Sequence, residues 1–156
     1  MTQIELIIWN LVEARRRSKE VWLSIPTEYA DYRPDGEAMS CIELVRHVLE
    51  SQHYYHHTIL NRASLKEYTS PFDDRELTSI VDEIAFGEKH HQAFLEMIQT
   101  LTPQDLTEIT IDRTDVGYIR GLGDFLLRVA YHEAVHTGQL LQYLRMIPID
   151  RPMIWD

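Results

Sequence analysis

The feature that most limits the fold of this chain is the placement of residues that break helices. Most of its six glycines and six prolines fall in three stretches, residues 26–36, 71–87 and 103–123. Glycine and proline interrupt helices, so their scarcity elsewhere predicts long helices joined by connectors.

Apolar residues recur between these stretches at the i, i+3, i+4 spacing of helices that bury one face. Ser40 and Glu43 have the spacing of a capping box, which predicts a helix that begins at Cys41. The helices are predicted over residues 3–24, 41–60, 75–101 and from Gly123 or Asp124 to just before Pro148. Four long amphipathic helices with long connectors predict an all-α fold, a four-helix bundle, as one domain over residues 1–156.

Residues 102–121 have the weakest helical pattern in the chain. Residues 107–111 alternate between polar and apolar side chains, as in a half-buried strand. Residues 115–119 are a candidate partner for them. We therefore expect a short β-hairpin before the last helix.

Charge and composition exclude several classes of partner. The formal net charge of −10 argues against binding to a phosphate backbone or to an anionic membrane. No run approaches the roughly 20 apolar residues that a membrane span needs. The single cysteine, Cys41, excludes an internal disulfide and fits a reducing compartment. We therefore expect a cytoplasmic protein that binds neither nucleic acid nor membrane.

The stretch from Tyr131 to Arg145, YHEAVHTGQLLQYLR, has the strongest chemical signal. His132 and His136 lie four residues apart in a helical pattern, which places both imidazoles on one helix face, one turn apart. Imidazoles in that arrangement can bind a single metal ion. Glu133 lies between them, so the stretch also matches the H-E-x-x-H motif of zinc peptidases.

The peptidase interpretation fails because the chain lacks the downstream ligand. Thermolysin-like enzymes take a glutamate after the motif, and metzincins take a further histidine there. No glutamate follows Glu133 and no histidine follows His136. The third ligand is therefore expected upstream, and helix direction leaves His47, His56 and His91 open.

Glu133 itself has two interpretations. It lies on the inward, apolar face of the last helix, where a carboxylate must be protonated, paired or close to a metal. Next to the paired histidines it is a candidate general base. Alternatively, it holds an imidazole, or an arginine of the first helix, in place.

Other polar residues are candidates for supporting roles. Arg15 lies on the inward arc of the first helix, so either its stem packs while its head reaches solvent, or it binds an anion at the mouth of the site. His91 is a candidate partner of a ligand. Gln139 lies close in angle to the paired histidines, where it would orient a ligand or a substrate. His53 and His57 face away from the core, and we expect them to be solvated.

The sequence resembles the DinB/YfiT-like superfamily of four-helix bundles over nearly its whole length. The resemblance lies in SCIELVRHVLESQHYY, in YHEAVHTGQLLQYLR and in the connector YADYRPDGEAMS. The family has one histidine in helix two and an H-x-x-x-H pair followed by G-Q in the last helix. It implies a divalent metal bound by His47, His132 and His136, with water or substrate in the open positions. It also implies a homodimer, and Gly138 on the outer side of the last helix would permit close approach of another helix.

Three neutral imidazoles would leave the ion its full charge and an open position, which favours a metal-dependent enzyme with a small-molecule substrate. Some members of the family depend on the thiols mycothiol or bacillithiol, so the resemblance implies a thiol-dependent transferase or isomerase, or a hydrolase. Zn, Ni and Fe all suit imidazole ligands. One alternative is a non-enzymatic stress-response protein with a structural metal and His91 or His56 as fourth ligand. Another is a partner-binding bundle with a degenerate site.

Overall fold

The computed structural model describes residues 1–155 and is mainly helical. In chain order its elements are α1 (Gln3–Leu23), α2 (Cys41–Asn61), α3 (Ile80–Gln99), α4 (Asp105–Glu108), β1 (Thr110–Arg113), β2 (Tyr118–Gly121) and α5 (Leu122–Met146). α1 and α2 each pack against both α3 and α5. The predicted four-helix bundle with a hairpin before the last helix is confirmed. Within residues 1–155, no helix is both long enough and apolar enough to cross a membrane.

Side chains cap α1 and α2 at their first turns. The backbone N–H of Glu43 donates to Ser40 Oγ (3.4 Å), and that of Ser40 donates to the Glu43 carboxylate (2.6 Å), as predicted. Thr2 and Glu5 form the same capping box at α1. These side chains satisfy N–H groups that lack partners within the helix, so they fix where α1 and α2 begin. The start of α2 in turn sets the height of His47 along the bundle.

The start of α3 differs from the prediction. The sequence predicts a helix from about residue 75, whereas α3 begins after Ser79, its N-cap. The guanidinium of Arg46 on α2 donates to the backbone carbonyls of Arg75 (2.7 Å) and Glu76 (3.1 Å). These contacts hold the segment outside helical geometry. Leu77, which the helical pattern places inward, is consequently 37% exposed.

The hairpin forms with a different register from the predicted one. The sequence predicts pairing of residues 107–111 with 115–119, whereas β1 pairs antiparallel with β2, with Arg113 opposite Tyr118. The first predicted strand is displaced because its first two residues belong to α4. The turn contains Gly117, whose φ of 92° lies in the left-handed region that glycine adopts without strain.

Hydrogen bonds attach the hairpin to the end of α2. The N–H of Asp112 donates to the Arg62 carbonyl (2.9 Å), and the N–H of Ser64 donates to the Asp112 carbonyl (3.0 Å). The guanidinium of Arg113 donates to Ser64 Oγ (3.1 Å) and to the Tyr54 hydroxyl (3.3 Å). The hairpin is therefore part of the wall of the bundle.

The apolar core consists of two clusters, one towards each end of the bundle. The first includes Trp22, Val45, Phe72 and Leu144, and the second includes Leu11, Phe94, Ile98 and Leu126. Between them every long helix contributes buried polar side chains. This polar layer consists of Arg15 and Ser18 on α1, Gln52 on α2, His91 on α3, and Glu133 and Thr137 on α5.

Arg15 is the centre of the polar layer. Its Nε donates to Glu133 Oε1 (2.8 Å) and its Nη2 to Glu133 Oε2 (3.1 Å), which makes a two-pronged ion pair with both residues at most 4% exposed. The same Nη2 donates to Gln52 Oε1 (3.2 Å). The interpretation in which the Arg15 head reaches solvent is therefore wrong, because the inward carboxylate of α5 binds it.

Removal of one partner of this ion pair should destabilise the fold strongly. Arg15→Met leaves Glu133 buried without its counter-charge, which should reduce the free energy of unfolding by about 3–5 kcal/mol. The double variant Arg15→Met/Glu133→Leu should recover most of that loss, because it removes both charges. Urea unfolding measures both values. Arg145→Met, at an exposed position, is the matched control, and a single variant as stable as that control would contradict the prediction.

Candidate metal centre

Three histidine side chains from two helices meet where α2 faces α5. His132 and His136 lie one turn apart on α5, with their Nε2 atoms 3.0 Å apart. The ring centroid of His47 on α2 is 5.2 Å from that of His132 and 4.8 Å from that of His136. Ligand nitrogens of all three lie within 4.8 Å of one another, and no other group of three histidine, cysteine or acidic side chains in residues 1–155 meets that limit. We refer to these residues as the three-histidine cluster.

The spacing and chemistry of the cluster fit a divalent transition ion. In a tetrahedral zinc site with bonds of 2.0–2.1 Å to imidazole, ligand nitrogens lie about 3.3 Å apart. The 3.0 Å between the two Nε2 atoms on α5 is close to that value. All three rings are half-buried, so they are held by packing and still open to a small ligand. Nitrogen donors alone suit Zn, Ni or Fe better than Mg or Ca.

The surroundings keep at least two of these imidazoles neutral at pH 7. Burial, together with His136 and His47, lowers the pKa of His132 to about 4. Burial and then His136 also lower the pKa of His47, while the Glu50 carboxylate opposes that shift. A neutral imidazole has the lone pair that a metal requires, so little proton release opposes metal binding at neutral pH.

Gln139, predicted to orient a ligand or a substrate, contacts His136. The Nδ1 of His136 lies 2.7 Å from Gln139 Oε1. An amide oxygen only accepts hydrogen bonds, so the imidazole carries a proton on Nδ1 and donates it to Gln139. The neutral ring therefore has its lone pair on Nε2, the atom that faces His132. This is the tautomer that metal ligation through Nε2 requires.

A comparison with models of protein families identifies the family of this chain. The model of the DinB superfamily matches residues 10–140, a range that contains all three histidines of the cluster. This chain belongs to the DinB superfamily. The resemblance seen in the sequence motifs is thereby confirmed.

Two proteins of Bacillus subtilis are similar to this DinB chain. YjoA is 27% identical over 146 residues, which cover 93% of this chain and 91% of YjoA. The crystal structure of YjoA, a DinB-like protein, matches with a TM-score of 0.72 at 24% identity, over 96% of each chain. YfiT, described as a probable metal-dependent hydrolase with an unusual four-helix bundle topology, matches with a TM-score of 0.75 at 16% identity, over 92% of this chain and 86% of YfiT. The structural matches show that the chain has the fold of these proteins.

The structure brings one of the three upstream histidines to the pair on α5. His47 joins the cluster, whereas His91 and His56 do not. His91 is 5% exposed, and its Nδ1 lies 2.9 Å from Gln52 Oε1 within the polar layer. His56 packs against Phe94, with ring centroids 5.5 Å apart.

Glu133 lies on the inner side of α5, between the two cluster histidines in sequence. Both of its carboxylate oxygens accept hydrogen bonds from Arg15, and the residue is 2% exposed. Its backbone carbonyl accepts from the hydroxyl of Thr137 (2.9 Å), whose Oγ1 lies 2.7 Å from Ser18 Oγ. These are the contacts of the second interpretation, in which Glu133 holds an arginine of the first helix.

An aromatic cleft of about 160 Å³ lies beside His132. It is lined by Tyr55, Tyr118, Phe125, Arg128, Val129, Tyr131, His132 and Val135. Tyr55 meets both Phe125 and His132 edge-to-face, with centroid distances of 5.7 Å and 5.6 Å. The helical pattern predicts only that Tyr55 lies on the apolar face of α2. It does not show that Tyr118 of the hairpin lines the same cleft as Tyr55.

A second, shallow cleft is lined by His47 of the cluster and contains Glu50. Its lining includes His47, Glu50, Arg46 and Arg33. Glu50 follows His47 by three residues, about one helical turn, and its charge acts on the pKa of that histidine. No sequence signal distinguishes Glu50, since acidic residues at this spacing are common on exposed helix faces.

His91 should make the stability of the metal-free protein depend on pH. Burial, followed by the charges of Arg15 and Lys19, lowers its folded-state pKa to about 3, against 6.5 as the ordinary value. Its contribution is complete above the unfolded-state value and is lost as the pH falls below 6.5 towards 3. The difference in unfolding free energy between the wild type and His91→Gln should therefore shrink from pH 7 to pH 4.5. Urea unfolding in a chelator measures it, and a constant difference would contradict this assignment.

Proposed function

We propose that this protein is a metal-dependent hydrolase of a small molecule, in which His47, His132 and His136 hold one divalent ion. The observation that carries the proposal is the meeting of three half-buried imidazoles from two helices, with His132 lining one cleft and His47 another. The description of YfiT as a probable metal-dependent hydrolase supports the reaction class. Zn, Ni and Fe are the candidate ions, since all three bind imidazole.

When bound by three imidazoles, a divalent ion keeps positions for small ligands and supplies Lewis acidity, which makes a water or a thiol more acidic. The protein contributes the arrangement of its own side chains. The low pKa values of His132 and His47 keep those rings neutral, and Gln139 fixes the ring of His136 through Nδ1. Because none of the three side chains is a carboxylate, the proposed ligands themselves cancel none of the charge that would act on the substrate.

We assign proton transfer to Glu50 rather than to Glu133. Glu50 is half-buried, lines a cleft with His47 and lies close enough to influence its pKa. A proton taken up by Glu133 would instead neutralise the partner of the buried Arg15, which is costly. We therefore assign Glu133 a positioning role, and Glu50 is the half-buried carboxylate beside the cluster.

The aromatic cleft supports a substrate with a small apolar or aromatic group. Tyr55, Tyr118 and Phe125 provide flat apolar surfaces within about 160 Å³. Arg128 also lines the cleft and offers a cation to a carboxylate or phosphate of the substrate. A group bound there would lie directly beside His132, one of the proposed ligands.

Thiol-dependent transfer is the second candidate function. Cys41 is fully buried, and burial raises the pKa of its thiol to about 11, so the chain provides no reactive thiolate of its own. Any thiol nucleophile would have to be a small molecule. A purely structural metal is less well supported, because His91 and His56, the expected fourth ligands, lie outside the cluster.

The ligand assignment predicts selective loss of cobalt binding. Wild-type protein given less than one equivalent of Co²⁺ should develop the visible bands of a low-coordinate nitrogen site. His47→Ala should weaken binding by at least roughly 100-fold, the upper end of what even outer residues of metal sites cost. His56→Ala, a histidine of the same helix outside the cluster, is the matched control. Equal binding by both variants would contradict the assignment.

The visible spectrum of the cobalt-substituted protein distinguishes a metal site with open coordination positions from one that the protein fills completely. Azide, or 2-mercaptoethanol as a simple thiol, should shift the visible spectrum because the three imidazoles leave positions for it. A new sulfur-to-metal charge-transfer band would favour the thiol-dependent function over hydrolysis. A spectrum that responds to neither ligand would support the structural metal instead.

The assignment of proton transfer predicts different behaviour for the two glutamates. With 4-nitrophenyl acetate as probe, Glu50→Gln should lower the metal-dependent hydrolysis rate by roughly 100-fold or more while metal affinity is retained. Glu133→Gln should lower the thermal midpoint but leave the rate per folded molecule unchanged. The metal-free protein supplies the background rate. A loss of rate in Glu133→Gln at full metal content would identify Glu133 as the base.

A further inference from the structure

A second histidine group lies on the outer side of the bundle, between α2 and α3. It consists of His53 and His57 on α2 and His90 on α3. The helical pattern predicts that His53 and His57 are solvated; His57 is exposed as predicted, but His53 is half-buried. The ring centroid of His53 is 4.5 Å from that of His57 and 4.6 Å from that of His90.

This second group repeats the pattern of the three-histidine cluster. His53 and His57 are four residues apart on one helix, and their Nε2 atoms are 3.2 Å apart. The corresponding distance between His132 and His136 is 3.0 Å. In both groups a third histidine comes from a neighbouring helix. Both distances are close to the roughly 3.3 Å between imidazole nitrogens on one tetrahedral ion.

Tyr68 contacts His53 at Nδ1, the same ring nitrogen at which Gln139 contacts His136. The Tyr68 hydroxyl lies 2.7 Å from His53 Nδ1, the ring nitrogen turned away from His57. When the hydroxyl accepts, the proton is on Nδ1 and the lone pair of Nε2 is directed to the pair. Burial, with His57 and His90, lowers the pKa of His53 to about 4, so the ring is neutral at pH 7.

His90 has a buried nitrogen that makes no hydrogen bond. Its Nε2 is inaccessible to solvent and has no partner, while Phe86 and Phe72 pack against the ring with centroids 5.3 Å and 5.9 Å away. A buried polar atom without a partner is unfavourable, and coordination would satisfy it. In the present rotamer His90 does not bring its nitrogen within 4.8 Å of both other histidines. A change of the His90 rotamer would break no hydrogen bond of Nε2, because that atom makes none.

We propose that His53, His57 and His90 form a second binding site for a transition-metal ion that prefers imidazole, with Zn²⁺ as the test case. Imidazoles alone select Zn²⁺, Cu²⁺ or Ni²⁺ over Mg²⁺ and Ca²⁺. The site binds more weakly than the three-histidine cluster, because His57 is exposed and His90 must turn. The competing explanation is a group of packed imidazole rings with no affinity for metal. This proposal does not rest on the proposed enzymatic function.

The test uses a protein in which the first cluster is disabled. His132→Ala/His136→Ala should still bind about one equivalent of Zn²⁺ in competition with a chromophoric chelator, since the second group is intact. A quadruple variant that also carries His53→Ala/His57→Ala should bind Zn²⁺ at least roughly 100-fold more weakly. The control is His56→Ala introduced into His132→Ala/His136→Ala, which should leave the affinity for Zn²⁺ unchanged. Circular dichroism checks that each variant is folded.

Loss of Zn²⁺ binding in folded His132→Ala/His136→Ala would overturn the proposal without affecting the first site. An independent check uses the otherwise intact protein, where His53→Ala/His57→Ala should remove the weaker equivalent and leave the tighter one. His90→Ala tests the third ligand and should lower the affinity of the second site about 10-fold or more. An unchanged affinity would exclude His90.

Discussion

The ion pair between Arg15 and Glu133 is the interaction on which the rest of this structure depends. A buried ion pair adds little stability relative to apolar side chains of similar size, but an unmatched buried charge is strongly unfavourable. Its geometry therefore tolerates few alternative arrangements of α1 against α5. Glu133 lies between His132 and His136 in sequence, so fixing its direction also fixes the rotation of α5. The ion pair thus places both histidines at the edge of the bundle, opposite His47.

Inside the bundle, buried positive and negative charges are paired. The three-histidine cluster, by contrast, contains no negatively charged side chain. Within the polar layer, Arg15 and Glu133 compensate each other, and burial keeps His91 neutral. The cluster contains three imidazoles and no carboxylate. The net charge of −10 provides attraction at longer range. The protein can therefore attract a cation while the ligands leave its charge uncompensated.

Local sequence information was enough for much of the fold and for two-thirds of the proposed site. The capping box at Ser40 and the paired histidines on α5 depend on residues within one or two helical turns, which periodicity and spacing describe. Helix direction alone leaves the third histidine open among His47, His56 and His91, because the choice depends on how α2 packs against α5, and only the family resemblance indicates His47. The start of α3 was predicted too early for a similar reason: Arg46 binds carbonyls about 30 residues away in the chain. Tertiary contacts of this kind leave no periodic signal.

Different parts of the chain determine the position of the three histidines and the shape of the aromatic cleft beside them. The cluster histidines all come from long bundle helices, whereas one wall of the aromatic cleft, Tyr118, belongs to the hairpin. Hydrogen bonds through Asp112 and Arg113 hold that wall in place. A change in the length or sequence of the turn at Gly117 would reshape the cleft without disturbing the helices that carry the histidines. In such a scaffold the shape of the cleft can change through drift in one surface loop, while the arrangement of the three histidines stays constant.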